Sequence, residues 1–182
     1  MAVLPLPDSE QASKEVQDIF AAFQRQMGFP MVPNFMKVQG RSAAAAAGTW
    51  SILQHVLLGG ELPRPLKEML IAAISHDRAC LYCEAAHLAC CRMLGVDAAT
   101  LDALVRDLDD LTPEKLRDII VFAVRCARDP QSLAEADFAS LRSHGLRDSE
   151  IMELIAMAGV ALYLNVVADA TGVEPDPLFF QV

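Results

Sequence analysis

The segment that most restricts the fold is IMELIAMAGVALYLNVV, which reads as part of a helix from Asp148 or Ser149 to about Ala170. It is apolar on most sides. A helix with so little polar surface belongs at the centre of a bundle or at a subunit interface. Glycine and charge interrupt the longest apolar runs, so a membrane span is not expected.

Nothing in the chain alternates with the period of a strand, and segments of helical period are punctuated throughout by caps and breakers. Asp8 and Ser9 are read as the cap of a first helix running to about Met27, with Val16, Ile19, Phe20 and Phe23 on its apolar face and Gly28 as its stop. The two prolines of GFPMVPNF make an ordered turn. A short helix from about Asn34 precedes Gly40, and Ser42 opens an Ala-rich helix that ends at Gly59-Gly60. LPRPLKEMLIAAISHD is helical from Pro65 to about His76. The next helix runs from about Ala79 to Gly95, and Asp97 opens another through Val105. Thr112-Pro113-Glu114 starts a helix that stops before Asp129-Pro130. Ser132 with Glu135 reads as a capping box, in a helix ended by Gly145. The phenylalanines of EPDPLFFQV suggest docking, on a neighbouring subunit or on their own chain. The expected architecture is a single all-α domain over residues 1–182, with residues 1–30 as a helical N-terminal extension.

Apolar residues make up 53% and charged residues 21% of the 182 positions, a globular balance. With 15 basic against 24 acidic residues the formal charge is −9, and no basic stripe is present, which disfavours nucleic acid and anionic membranes as partners. The N-terminus carries no basic region followed by an apolar run, so it does not read as a signal peptide. The expected location is cytoplasmic. There, five cysteines do not make a disulfide framework, and any pairing is transient.

Two of those cysteines sit in EMLIAAISHDRACLYCEAAH, which spaces Glu68, Cys80, Cys83 and His87. With each helical residue advancing about 100°, the two cysteines and His87 share an arc of roughly 60°. His87 is one turn beyond Cys83. Cys80 lies near a helix N-terminus, where free N–H groups favour a thiolate. If residues 77–79 form a tight turn, the flanking helices fold into a hairpin that sets Glu68 opposite His87. A carboxylate beside an imidazole orients it as a proton acceptor. The pattern predicts a relay: Glu68 positions His87, His87 takes the Cys83 proton, and Cys80 closes a disulfide with the oxidised product.

At these residues the chain resembles the carboxymuconolactone decarboxylase-like superfamily, and within it the alkylhydroperoxidase AhpD-like, peroxidase-related branch. VPNF near Asn34, GGELPRPLKEMLIAAIS and YLNVVADATGVEPDP extend the likeness from about residue 30 to 177. The resemblance implies a helical bundle built around the hairpin that carries the C-x-x-C site. It implies assembly into trimers or dimer-based hexamers, and reduction of hydroperoxides with Cys83 attacking and Cys80 resolving. The reductant it implies is an external dithiol or disulfide reductase, with no metal or organic cofactor. One position departs from AhpD itself: Tyr82 stands where AhpD has a histidine just before the second cysteine. A phenol titrating near 10 can relay a proton but is no base at neutral pH.

Other readings stay open at this point. Cys80, Cys83, His87 and Glu68 are acceptable zinc ligands in number and type. A redox sensor without turnover and a decarboxylase-like lyase are further alternatives. Glu68 could pair with Arg64 or Lys67, and Tyr82 could simply pack. Cys90 and Cys91 project to the same side as the motif but read as small buried hydrophobes, as does Cys126. His55 and His144 lack convergent partners in sequence. Trp50, Met31 and Met36 read as core rather than as a pocket entrance.

Overall fold

The computed structural model describes residues 3–181. Among them are nine α-helices and no strand. They are α1 Lys14–Met27, α2 Asn34–Gln39, α3 Ala43–Ile52, α4 Arg64–Asp77, α5 Leu81–Met93, α6 Ala98–Arg106, α7 Glu114–Arg128, α8 Glu135–Ser143 and α9 Asp148–Thr171. This is the expected all-α architecture.

The centre is α9, packed against α4, α5, α7 and α8. Its buried positions include Ile151, Leu154, Met157, Ala158, Ala161, Leu164 and Ala168. Its 24 residues include an 18-residue stretch with a mean hydropathy of 2.0, long and apolar enough by length and composition to cross a membrane, which corrects the expectation that the apolar runs fall short of a span. In the fold it serves as the core helix, half buried by its neighbours.

Helix α1 begins later than expected. Residues Ser9–Gln11 form an isolated 3-10 turn, and the cap is Ser13, whose Oγ accepts the Val16 N–H. Val16, Phe20, Phe23 and Met27 then recur at helical spacing on the buried face. The N-terminal segment is thus packed into the body of the fold, against α3. In α8, the box expected from Ser132 and Glu135 is displaced. Ser132 ends a 3-10 turn, and the Asp137 carboxylate instead accepts the Ala134 N–H at 2.8 Å.

Two joints shape the interior. Helix α3 continues into a π-helical turn, Leu53–Leu57, whose two end residues are buried. Such a turn leaves carbonyls without helical partners. The Nζ of Lys67, fully buried on α4, takes up those of Val56 (2.8 Å) and Gly59 and pairs with Glu153 of α9 at 3.1 Å. Gly60 lies beside this pair at φ 86°, where a Cβ would collide with the Glu153 carboxylate. The second joint is the turn between α4 and α5. Ala79 adopts φ 56°, an uncommon left-handed conformation for a residue with a Cβ, immediately before Cys80. The Cys80 N–H closes the turn on the Ser75 carbonyl at 2.9 Å.

Candidate active site

The short α4–α5 turn folds the two helices side by side, and Glu68 meets His87 across them. His87 Nδ1 lies 2.6 Å from Glu68 Oε2. Glu68 is completely buried, and its other oxygen accepts from Arg64 Nε at 3.2 Å. Of the two alternative cations for Glu68, then, Arg64 is a partner in addition to His87, while Lys67 serves the π turn. A buried carboxylate is tolerated only when its lone pairs are filled this way.

Cys90 lies close to this pair, its sulfur within 4.8 Å of the Glu68 and His87 donor atoms. Burial, and then the nearby Glu68 charge, push the Cys90 thiol well up. The reading of Cys90 as packing alone therefore misses a contact. The signal was its spacing of seven from Cys83, which returns it to nearly the same helix face.

Cys83 and Cys80 are both buried, free thiols. Helix α5 starts at Leu81, so Cys80 is the residue before the helix rather than inside it, and its side chain makes no capping bond. A hydrogen bond with Cys80, then burial, then the Cys80 charge hold the Cys83 thiol well above its ordinary range, while the Asn165 amide pulls the other way. A thiol held up in this way needs a base to become a nucleophile.

A cavity of about 50 Å³ opens beside these groups, lined by Cys83, His87, Cys90 and Tyr82 among apolar side chains that include Phe35 and Phe179. Cys83 faces the cavity, whereas Cys80 is not part of its lining. Met36, Leu53 and Leu57 also reach the cavity, so the π turn supplies part of its wall. Trp50 packs edge-on to Phe23 in the core and does not line it.

Tyr82 has both of its hydroxyl contacts elsewhere. It donates to Asp176 Oδ2 at 2.8 Å and accepts the Phe35 N–H at 3.1 Å. Burial, followed by the Asp176 charge, pushes the phenol up further, which leaves it a structural hydrogen bonder at neutral pH. Asp176 also accepts the Asn34 N–H at 3.0 Å, so this carboxylate ties the C-terminal tail to α2 and α5. The tail phenylalanines divide accordingly. Phe179 is buried edge-on to Tyr82 in its own chain, and Phe180 is exposed. His144, without a partner in sequence, lies 2.8 Å from Asp118 Oδ2, and neither lines the cavity.

The zinc set read from sequence is not assembled. Among the described residues the donor atoms close enough to share an ion belong to Glu68, His87 and Cys90, all within 4.8 Å of one another, and exclude Cys80 and Cys83. Glu68 is already engaged by Arg64 and His87, and a guanidinium on the carboxylate opposes a second cation. The group fits a hydrogen-bond network better than a metal centre.

The profile of the carboxymuconolactone decarboxylase family matches residues 43–111, a span that contains Glu68 and all of α5. Solved structures named for AhpD and for peroxidase-related proteins share the whole fold. Residues 43–111 are similar to the carboxymuconolactone decarboxylase family, and the chain as a whole has the AhpD-like fold. It superposes with a TM-score of 0.91 on the alkylhydroperoxidase AhpD core of an uncharacterized peroxidase-related protein from Ralstonia eutropha JMP134, at 23% identity over 100% of this chain and 95% of that one. An uncharacterized peroxidase-related protein from Silicibacter sp. TM1040 is 28% identical over 97% of this chain and 92% of its own, with a TM-score of 0.86. The debrominase Bmp8, in complex with 2,3,4-tribromopyrrole, has the same fold at 16% identity and a TM-score of 0.83, over 100% and 95% of the two chains. No curated protein matches the sequence.

Proposed function

We propose that this AhpD-like chain is a thiol-dependent hydroperoxide reductase. The observation that supports this most is the division of the two cysteines: Cys83 lines the cavity with His87, and Cys80, fully buried, does not line it. Glu68 holds His87 by Nδ1, which leaves Nε2 as the nitrogen to take the Cys83 proton. The Cys83 thiolate attacks the outer peroxide oxygen, the O–O bond breaks, and the alcohol leaves with a proton as Cys83 becomes a sulfenic acid. The Cys80 thiol then attacks the Cys83 sulfur, forming the disulfide and releasing water. An external dithiol or disulfide reductase supplies two electrons and two protons to restore both thiols, in keeping with a reducing, cytoplasmic setting. No metal or organic cofactor enters these steps, and Tyr82 serves as a tether rather than as a relay.

The test is peroxide consumption with a dithiol reductant, by wild type, Cys83→Ser and Cys80→Ser. Cys83→Ser is expected to be inactive, and Cys80→Ser to stop after one equivalent with a sulfenic acid trapped by dimedone. Equal rates in all three proteins would end the proposal. The aromatic lining favours one second reading, reductive dehalogenation of a small aromatic by the same thiol pair. A brominated pyrrole in place of the peroxide distinguishes it by release of bromide.

We further infer a closed homo-oligomer joined through α9. Met152, Ala156, Gly159, Tyr163 and Val166 follow one another at spacings of four and three, and Met152 and Val166 are each 58% exposed. Such a seam suits a helix of a second copy. Val166→Asp should lower the mass seen by light scattering to that of one chain. A wild type that is already monomeric at micromolar concentration would refute the interface.

A further inference from the structure

Asn165 is a fully buried amide on the apolar core helix α9. Its Nδ2 donates one N–H to Ser75 Oγ at 2.9 Å. Its Oδ1 is buried with no hydrogen-bond partner among the described residues. An unpaired polar atom in a core carries the full cost of its lost hydration, which an apolar side chain at this place would not incur. Such exceptions call for an explanation.

The surroundings of the amide suggest one. Ser75, its hydrogen-bond partner, also holds Cys80 through its backbone carbonyl, and Leu164, the residue before Asn165, lines the same cavity as Cys83. Ser75 and Asn165 therefore converge on the turn that carries Cys80 and leads into the helix of Cys83. The Asn165 amide also favours the Cys83 thiolate, lowering that thiol against the groups that raise it.

We propose that Asn165 is a further catalytic residue, whose second N–H donates to the Cys83 thiolate and whose open Oδ1 accepts the O–H of the Cys83 sulfenic acid. No bond to Asn165 forms or breaks. The amide presents a donor and an acceptor side by side, and the sulfur needs the first before attack and the second after it. Ser75 sets the plane of the amide. The other ionisable groups around Cys83 are Cys80 from the turn, Tyr82, His87 and Cys90 on α5, and Asp169 on α9. The Cys80 and Asp169 charges both disfavour a thiolate, which is the effect the Asn165 N–H offsets.

The inference rests on Cys83 as the reacting thiol, but its test does not require peroxide turnover. The rate at which methyl methanethiosulfonate modifies Cys83 is followed against pH by peptide mass spectrometry in wild type, Asn165→Leu and Ser75→Ala. Asn165→Leu is expected to slow modification at pH 8 about tenfold, equivalent to moving the profile up by about one pH unit. Ser75→Ala should move it the same way by less, and serves as the deciding variant if Asn165→Leu does not fold. In a Cys80→Ser background, Asn165→Leu should also shorten the lifetime of the dimedone-trapped sulfenic acid. A folded Asn165→Leu, or failing that Ser75→Ala, with the wild-type profile would overturn the proposal. A shifted profile in a protein that consumes no peroxide would sustain the Asn165 contact while removing the peroxidase reading.

Discussion

Glu68→Gln is expected to cut peroxide turnover by about 10²–10⁴-fold, the contribution of a well-placed acid–base group. The carboxylate has no solvent to fall back on, and it is engaged by Arg64 and His87 at once, with Cys90 close by. Glutamine keeps the shape but offers one acceptor oxygen, so either Arg64 or His87 loses its partner. If His87 loses it, the ring is free to turn or to change tautomer, and Nε2 is no longer presented to the cavity. A stability loss of about 1–3 kcal/mol should accompany this, from the donors left unpaired. Glu68→Asp separates the two effects, because it keeps the charge and shortens the reach. Steady-state kinetics with peroxide and dithiol, alongside urea unfolding, checks both. A Glu68→Gln enzyme with near-normal turnover would remove Glu68 from the relay and leave it a structural carboxylate.

Lys67→Met is expected to cost about 3–5 kcal/mol of stability, among the largest effects available to a single change outside the cavity. Methionine fills similar space but leaves Glu153 without its cation and the Val56 and Gly59 carbonyls without a donor. The π turn that places Leu53 and Leu57 on the cavity wall is held by those same bonds. Burial pushes the Glu153 carboxyl up, but the Leu62 and Glu61 N–H groups and Lys67 together outweigh it and hold it below its ordinary range. A carboxyl lowered in the folded state contributes stability above its unfolded value, near 4.3, and loses it as pH falls through the folded value. Wild type should therefore lose stability below about pH 4.5, and Lys67→Met should lose less over that range because part of the contribution is already gone. Urea midpoints at pH 7 and pH 3.5 test this. A Lys67→Met protein within 1 kcal/mol of wild type at pH 7 would show that the clamp is dispensable.

Much of this was legible in sequence wherever the determining contacts are local. Helix periods and stops follow from neighbouring residues, and Gly28 ends α1 as its position suggests. The Glu68–His87 contact could be anticipated because a three-residue turn leaves two helices little choice of register. Where caps compete within a few residues, the sequence is ambiguous. Ser9 and Ser13 both suit a helix start, and tertiary packing of Val16 and Phe20 decides for the later one. The roles of Arg64, Asn165 and Asp176 lay further from view. Arg64 was visible only as an ordinary i, i+4 pair, and the contacts of Asn165 span 90 residues to Ser75. A lone amide in IMELIAMAGVALYLNVV is a signal in retrospect, since an apolar helix does not bury one without cause.

The Asp176 contacts have a practical side. One carboxylate joins the last segment of the chain to the start of α2 and to the tyrosine beside Cys83, and Phe179 completes the cavity wall from that same segment. Cutting or re-routing the residues after Gly172, by protease or by a fused tag, therefore opens the chamber around the thiols rather than trimming a loose end. Loss of activity in such a preparation would be a broken lid reported as a failed catalyst.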